Sequence, residues 1–436
     1  GPGRSYRLAE AVRHGADRSD PAHRAFAEAD EKIQLIAMIQ SGRVLRLFPE
    51  QGENGTQWYA PTDPVRALPK GDSVFIKGIF PLMYEAVRNG DSDGLRGLID
   101  KTAAFQRERG AAGFLPEGRL KAELLYNRLD AVPWLYRIDL CCGLLAFAYF
   151  VWSLASGRRN RRIERLSLVP LAGTAVLLTV SMTLRGYAAG HLPLSNGYET
   201  MIFVSWCLSL LALGIGRRFP IAAASGLLMS GFTLLVASLG MANPQITPLV
   251  PVLRSPWLSL HVSLIMVSYA LLGLLMLNGT AALALAAAAR AGTAERTSRT
   301  LARLRLFGRL LLYPAVFLLT AGIFTGAVWA NASWGRYWGW DPKEVWALIT
   351  LIVYALPLHE QSLARFRRPL FFHAYTLWAF AAVLMTYFGV NYLLGGMHSY
   401  GGGFRPGYAA ATVFAAVTAF ALLTVAALIR QRRMDA

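Results

Sequence analysis

Residues 329–346 comprise Trp329-Ala-Asn-Ala-Ser-Trp334-Gly-Arg-Tyr337-Trp338-Gly-Trp340-Asp341-Pro342-Lys343-Glu344-Val-Trp346, between two long apolar runs. Five of the chain's eleven tryptophans fall in these eighteen residues. Tryptophan can anchor a protein at a membrane surface, because its apolar indole carries one polar N–H. This arrangement is denser than an anchor belt needs, and its glycines remove side chains where a flat object could approach the backbone. The stretch is therefore a candidate aromatic surface for a planar, largely apolar ligand.

The end of the same stretch has the pattern of a helix start. Asp341 is a candidate N-cap, Pro342 suits the first helical position, and Glu344 stands at the third. A capping role would be purely structural. It does not exclude contact between Asp341 and a ligand, so both readings stay open.

Apolar runs long enough to cross a bilayer recur from about residue 131 onward, in a chain of 436 residues that is 54% hydrophobic. Nine are predicted: 131–154, 168–187, 198–215, 219–240, 257–289, 307–330, 343–361, 369–393 and 406–430. We therefore expect an all-α polytopic membrane protein with about nine transmembrane helices, embedded in a lipid bilayer.

The charge distribution predicts the topology. Residues 1–130 hold 19 Lys/Arg and 18 Asp/Glu, whereas residues 131–436 hold 25 and 8, a net charge of +17. These basic residues cluster in alternate short loops, which indicates cytoplasmic loops rather than a nucleic-acid surface. We expect the inner (cytoplasmic) membrane, with residues 1–130 and the tryptophan loop extracytoplasmic and the C-terminus cytoplasmic.

Three regions follow from this pattern. Residues 1–30 are expected to be a flexible lead, and 31–130 a small, mostly helical extracytoplasmic domain. Residues 131–436 would form the transmembrane domain, with the tryptophan loop at 329–346. A signal peptide or an upstream membrane segment would have to direct residues 1–130 across the membrane.

All three cysteines, Cys141, Cys142 and Cys207, lie in predicted spans, and no Cys-x-x-Cys pair occurs. We expect buried structural cysteines, without thiol–disulfide chemistry or a cysteine-ligated metal.

A second charged motif stands at the start of the third span. Glu199 is costly in apolar surroundings unless it is paired, and Arg185 is a plausible partner. An interhelical salt bridge and a ligand role are both open.

Two histidines flank the tryptophan loop on the predicted outer side: His261 before it and His398 after it. Taken singly, each is more often a hydrogen-bonded structural residue than a ligand. Together, two neutral imidazoles could supply both axial positions of a haem iron. His359 lies near the inner end of the seventh predicted span, where an ionisable group is a candidate functional residue. His373, at the start of the eighth predicted span, is a weaker candidate for a second ligand beside His359.

The segment from Trp334 to Trp346 resembles the tryptophan-rich WWD motif of haem-handling proteins. It is most similar to that of the CcsA/ResC family, the core of the System II cytochrome c synthetase. Gly190-His-Leu-Pro-Leu-Ser-Asn-Gly-Tyr-Glu199 resembles a further segment of that family. The resemblance covers about residues 170–430, while 1–130 lie outside it or match only weakly. The chain could be the C-terminal part of a CcsBA fusion.

The resemblance implies a holocytochrome c synthase of the lyase type, acting with a CcsB/ResB partner or fused half and with thiol-reducing proteins. Haem b would pass from the cytoplasm to the outer loop, where thioether bonds form to the Cys-x-x-Cys-His segment of apocytochrome c. The resemblance makes His261 and His398 ligands of this outer haem iron, and His359 a ligand within the membrane whose partner lies in the CcsB/ResB half. Residues expected to contact the macrocycle or act in catalysis are Trp334, Tyr337, Trp338, Trp340 and Asp341.

Three alternatives stay open. The first is a haem exporter or relay without covalent chemistry. The second is a System I assembly protein of the CcmF or CcmC type. The third is a polytopic protein whose tryptophans form only an interfacial belt.

Overall fold

The computed structural model describes residues 21–52, 55–64, 68–110, 116–239, 244–246, 255–394 and 407–435. By internal contacts the chain divides into two compact units, Gly1–Pro116 and Glu117–Ala436.

The first unit is mostly helical and contains one β-hairpin. Its elements are α1 (Pro21–Gln40), β1 (Phe48–Gly52), β2 (Gly55–Tyr59), α2 (Lys70–Arg88) and α3 (Ser92–Gly110). The strands are antiparallel, with Phe48 opposite Tyr59. Phe48 is fully buried against Ile76 and Ile79 of α2, so the hairpin and the helices share one small apolar core.

The second unit is an all-α bundle. Its helices are α4 (Glu117–Leu129), α5 (Val132–Ser156), α6 (Arg161–Leu166), α7 (Leu168–Ala189), α8 (Gly197–Gly216), α9 (Pro220–Ser238), α10 (Pro256–Ala288), α11 (Ala294–Trp334), α12 (Pro342–Ala355), α13 (Pro369–Leu384), α14 (Val390–Leu393) and α15 (Gly407–Asp435). Three 3₁₀ turns span Ala291–Thr293, Leu356–His359 and Ala364–Arg367, and a π-helical segment spans Met385–Gly389. At the centre, α10 packs against α5, α8, α9, α11, α13 and α15.

The prediction of an all-α polytopic membrane protein is confirmed. Among the described residues, eight helices are long and apolar enough to cross a membrane. The segment predicted as the seventh span differs, because α12 has only 14 residues. That length rises roughly 21 Å, less than the roughly 30 Å of a bilayer core. The chain continues through the 3₁₀ turn that contains Pro357, a residue without the N–H that a longer α-helix would need. The described chain therefore has eight helices that are individually long enough to span. For the seventh predicted span, α12 and the 3₁₀ turn Leu356–His359 together rise roughly 29 Å, which is enough for one crossing.

Small residues let the helices of the bundle approach closely. A Cβ on Gly143 of α5 would lie 2.6 Å from the backbone nitrogen of Leu228 in α9. On the same interface, a Cβ on Gly231 would lie 2.7 Å from the backbone nitrogen of Leu140. Backbones in such contact leave no room for a side chain, so both positions require glycine.

A buried polar network joins four helices inside the bundle. The carboxylate of Asp139 in α5 is fully buried and accepts hydrogen bonds from Thr174 (2.7 Å) and Ser230 (2.6 Å). The hydroxyl of Ser230 is also 2.7 Å from that of Ser205. These hydroxyls solvate a carboxyl group that an apolar interior would otherwise exclude.

The prediction of buried cysteines holds only for Cys207. Cys142 is half-buried and Cys141 is exposed on the surface of α5, although both lie in a helix of spanning length. A free thiol behaves as a small hydrophobe, so a lipid-facing surface accommodates it as well as a protein core does.

Candidate functional site

The tryptophan loop begins where α11 ends, at Gly335. This glycine has a φ of 72°, in the left-handed region, and its N–H donates to the carbonyl of Asn331 at 2.9 Å. A left-handed residue at this position is the common way for a helix to stop, and it favours glycine. Gly335 is therefore required by the turn itself.

The loop ends in a complete capping box on α12, which confirms the predicted helix start. The Asp341 carboxylate accepts a hydrogen bond from the Lys343 N–H at 3.0 Å. In return, Oε2 of Glu344 accepts from the N–H groups of Asp341 (3.2 Å) and Gly339 (2.8 Å). The two carboxylates thus hold both the first turn of α12 and the backbone of the preceding loop.

The indoles form two edge-to-face pairs rather than one flat shelf. The ring centroids of Trp329 and Trp334 are 4.8 Å apart with planes at 64°, and those of Trp338 and Trp340 are 5.9 Å apart at 88°. Trp329 is buried in the bundle, while Tyr337 and Trp340 project outward with 61% and 75% of their surface exposed. The loop therefore has a packed base and an exposed aromatic edge.

Trp340 has a φ of 56°, which is uncommon for a residue with a large side chain. Neighbouring Gly339 is covered by Arg336, whose guanidinium would lie 3.1 Å from a Cβ at that position. The absence of a side chain at Gly339 thus makes room for this guanidinium. An arginine next to exposed indoles adds a positive charge to the aromatic edge.

His261 lies on α10 against the glycine face of α11. Its Nδ1 is 2.7 Å from the carbonyl oxygen of Gly322, so Nδ1 carries the proton and donates it. A Cβ on Gly326 would lie 2.6 Å from the same ring nitrogen. A backbone carbonyl that fixes the tautomer in this way places the lone pair on Nε2, which is the form that binds a metal ion.

Polar bonds tie the start of α12 to the segment that follows α13. Nζ of Lys343 donates to Oδ1 of Asn391 in α14 at 3.0 Å. One turn deeper, the hydroxyl of Thr386 in the π-helical segment lies 2.8 Å from that of Thr350 and 3.1 Å from the carbonyl oxygen of Trp346. The tryptophan loop is therefore held to the chain that leads toward residue 395.

The two histidines considered for an inner site lie in different surroundings. His359 is exposed at the end of the 3₁₀ turn after α12. His373 is fully buried in α13, and its Nε2 lies 3.2 Å from the carbonyl oxygen of Leu301. A packing role accounts for that contact. The neighbour of His359, Glu360, forms ion pairs with Arg305 and Arg309 of α11.

His398 and the outer loop around it lie outside the described residues, so its place beside His261 stays a prediction. In the part of the chain that the structure describes, no three His, Cys, Asp or Glu side chains group as metal ligands.

Comparison with known proteins identifies the family. The family described as "Cytochrome C assembly protein" matches residues 194–398. The cytochrome c biogenesis protein CcsA of Synechococcus sp. WH7803 is 35% identical over 308 residues, which cover 60% of this chain and 94% of that protein. The chain belongs to the CcsA/ResC family of cytochrome c biogenesis proteins.

Two further relatives show how much of the chain is matched. CcsA of Parasynechococcus marenigrum WH8102 is 37% identical over 288 residues, covering 59% of this chain and 92% of its own. Protein NrfI of Wolinella succinogenes is 35% identical over 410 residues, covering 92% of this chain but only 45% of NrfI. The chain thus spans less than half of that relative's length. Because only 8% of the chain lies outside the NrfI match, most of residues 1–130 is similar to NrfI, whereas the two CcsA relatives cover only 59–60% of the chain.

The buried ion pair of this CcsA-family chain is the one predicted. Nε of Arg185 is 2.7 Å from Oε1 of Glu199, and the two side chains are 1% and 2% exposed. Ser195 donates its backbone N–H and its hydroxyl to the other carboxylate oxygen, at 2.7 and 2.6 Å. Sequence reasoning had left a ligand role open, but these bonds account for the carboxylate.

Several positioning residues were missed. Gly322 and Gly326 form a Gly-x-x-x-Gly pattern in an apolar helix, a signal of close helix packing that was available in the sequence. The Lys343–Asn391 bond joins residues 48 positions apart and had no comparable signal.

Proposed function

We propose that this protein binds haem b beside the tryptophan loop on the extracytoplasmic side and joins it to apocytochrome c through thioether bonds. The observation that carries the proposal is the setting of His261. The Gly322 carbonyl accepts its Nδ1 proton and so fixes the tautomer whose Nε2 carries the lone pair, the form of imidazole that binds iron. Along α11, Gly326 and Trp334 are eight residues apart, about 12 Å of helix rise, so the imidazole stands within a haem's reach of the loop.

The aromatic edge supplies contact area for the substrate. Trp334, Tyr337, Trp338 and Trp340 would pack against the apolar macrocycle, and Arg336 adds a cation suited to a propionate. Asp341 acts here through the capping box, as a positioning residue that sets the direction of the loop. His398 would provide the second axial position, opposite His261.

The reaction needs no net oxidation or reduction. Each cysteine S–H of the Cys-x-x-Cys-His segment adds across one vinyl double bond, so that one C–S bond and one C–H bond form. Axial histidines set the electronics of the iron and favour its ferrous state. Thiol-reducing proteins would keep the substrate cysteines reduced before the addition.

The same proposal assigns the two faces of the membrane. Arginine-rich loops on one side favour the cytoplasm there, which places the tryptophan loop outside. Haem would enter at the cytoplasmic end near His359, whose second ligand would come from a CcsB/ResB-type partner or fused half. A longer relative such as NrfI is compatible with a fused arrangement.

The test is the absorption spectrum of the purified protein in wild type, His261→Ala and His398→Ala forms. Each histidine variant should retain part of its haem through the aromatic contacts, show a changed axial spectrum and oxidise readily. Added imidazole should enter the vacant position and restore the spectrum. A Trp338→Ala/Trp340→Ala variant should lose haem that imidazole does not restore, because it loses stacking area rather than a ligand.

His191→Ala is the matched control, since its Nδ1 lies 2.9 Å from the carbonyl oxygen of Leu192 and it should leave the spectrum unchanged. Unchanged spectra in both ligand variants would remove the assignment of His261 and His398. Normal haem binding without thioether-linked haem on a co-expressed cytochrome c would reduce the function to export or relay.

A further inference from the structure

Two arginines of α11 share one carboxylate beside His359. Glu360 forms ion pairs with Arg305 and with Arg309, and a terminal nitrogen of Arg309 lies 2.8 Å from its Oε1. Glu360 directly follows His359, so the Cα atoms of these two residues are about 3.8 Å apart. The three charged side chains are 17–30% exposed, so a solute can reach them. Arg305 and Arg309 are called the arginine pair below.

Contacts other than the shared carboxylate hold the arginine pair in place. Nε of Arg305 donates to the carbonyl oxygen of Phe366 at 3.0 Å, and its central carbon lies 5.8 Å from the ring centroid of Phe372. A terminal nitrogen of Arg309 donates to the hydroxyl of Tyr313 at 2.6 Å. The two arginines are four positions apart and therefore lie on one face of α11. Both guanidiniums would keep these supports if the carboxylate left.

A separate arginine holds the turn that carries Glu360. Arg367 donates to the backbone carbonyl oxygens of Glu360, at 3.0 Å, and of Gln361, at 2.9 Å. Partly exposed ion pairs contribute little to stability. The Glu360 carboxylate can therefore leave the arginine pair at small cost, while the backbone of the turn keeps its attachment.

One positive charge of the arginine pair is left over. Within the part of the chain that the structure describes, both arginines form ion pairs with Glu360 alone, so two cations face one carboxylate. A ligand with two carboxylates would neutralise both charges, and each guanidinium can bind a carboxylate through two parallel N–H groups. Haem b has this chemistry, since it carries two propionates on one edge of an otherwise apolar ring.

We propose that the arginine pair binds the two propionates of haem arriving from the cytoplasm, and that Glu360 occupies this anion site until then. The inference rests on the proposed function, which brings haem to the cytoplasmic end near His359. Charged propionates are costly in the hydrocarbon core, so an entering haem keeps them at the membrane surface and inserts its vinyl edge first. The arginine pair thus sets the orientation of the ring beside His359.

Fluorescence titration of the purified full chain with metal-free protoporphyrin IX tests this proposal. This ring keeps both propionates but has no iron, so binding does not depend on histidine ligation. Its dimethyl ester, which lacks both charges, is the second probe. The ratio of the two dissociation constants measures the contribution of the propionates. All titrations use a Trp338→Ala/Trp340→Ala background, which reduces stacking area at the outer loop.

The expected changes have opposite signs for the two partners of the ion pairs. Glu360→Gln removes the competing carboxylate, so it should tighten protoporphyrin binding up to about fivefold and leave ester binding unchanged. Arg305→Gln and Arg309→Gln should each weaken protoporphyrin binding about tenfold, which corresponds to one lost charge-assisted contact. Arg309→Lys should retain part of the preference, because lysine keeps the charge and lacks the planar fork.

Two control variants break comparable ion pairs in other arginine-rich segments. Glu164→Gln breaks a partly exposed pair with Arg159, and Arg299→Gln breaks an exposed pair with Glu295 in α11. Neither control should change the ratio of the two dissociation constants. Thermal unfolding checks that each variant folds.

Unchanged or weaker protoporphyrin binding in Glu360→Gln would overturn the proposal. Equal ratios in wild type, Arg305→Gln and Arg309→Gln would also overturn it. If those two variants lose bound anionic phospholipid while their ratios stay unchanged, the arginines bind lipid head groups instead. His261→Ala should leave the ratio unchanged, so the inner anion site and the outer haem site can fail independently of each other.

Discussion

The lack of a side chain at Gly326 lets the ring of His261 lie against α11. A Cβ on Gly326 would lie 2.6 Å from Nδ1, closer than real Cβ contacts come. We expect Gly326→Ala to push the imidazole off the Gly322 carbonyl and to alter the haem spectrum in the same direction as His261→Ala. Gly214→Ala in α8 is the control, because its Cβ would meet nothing within 4 Å. A wild-type spectrum in Gly326→Ala would show that the ring position does not matter for haem.

At the same scale, we expect the loss of the buried Arg185–Glu199 pair to destabilise the protein more than the loss of an exposed ion pair. Replacing one partner of a buried pair leaves an uncompensated charge and costs about 3–5 kcal/mol. Glu199→Gln should therefore lower the thermal unfolding midpoint in detergent strongly. Glu164→Gln breaks the partly exposed pair with Arg159, worth about 0–1 kcal/mol, and serves as the control. Equal losses in both variants would mean that the buried pair adds no special stability.

Sequence reasoning reached these residues to different degrees. Glu199 was assigned a partner because a charge in an apolar segment needs one, and Asp341 was assigned a cap because capping is local in sequence. The carbonyl of Gly322 could not be predicted as the partner of His261, since 61 residues separate the two. The exposure of Cys141 depends on which face of α5 meets other helices, and an almost uniformly apolar helix does not reveal that face.

At the scale of elements, the junction between α11 and α12 sets the direction of the tryptophan loop. The capping box predicts a clear difference between two substitutions of Asp341. Asp341→Asn keeps a side-chain oxygen for the Lys343 N–H and should leave stability and haem spectrum near wild type. Asp341→Ala loses the cap, costs about 1 kcal/mol and should disturb the spectrum. Thermal unfolding and absorption spectra of the two purified variants decide the matter.

If both Asp341 variants disturb haem equally while Asp341→Asn stays fully stable, the carboxylate contacts the substrate in addition to capping α12.

The helices next to this junction contain two irregular segments, and the sequence signalled only one of them. The segment predicted as one span, 343–361, is a 14-residue helix continued by a 3₁₀ turn. Pro357 signalled that change, whereas the π-helical segment at Met385–Gly389 depends on contacts of Thr386 with α12.

At the scale of the whole molecule, the uneven charge predicts one orientation. Residues 131–436 carry 25 Lys/Arg, which cluster in the loops on one side of the spans. The positive-inside rule places those loops in the cytoplasm and the end of α11 outside. Hydropathy alone predicts that the chain forms a bundle of membrane-spanning helices. The side of the membrane on which each loop lies is predicted only from these arginines.

Cysteine labelling with a membrane-impermeant reagent tests this orientation. We expect Ser333→Cys, at the end of α11, to react when the reagent is applied to the extracytoplasmic face of intact cells. Ala364→Cys, in the exposed 3₁₀ turn before α13, should react only after the cells are opened, because that turn lies among the arginine-rich loops. The exposed Cys141 requires a background in which the three native cysteines are replaced by serine. Labelling of Ser333→Cys from the cytoplasmic face alone would invert the topology, and the outer haem site would then lie on the wrong side for an extracytoplasmic cytochrome.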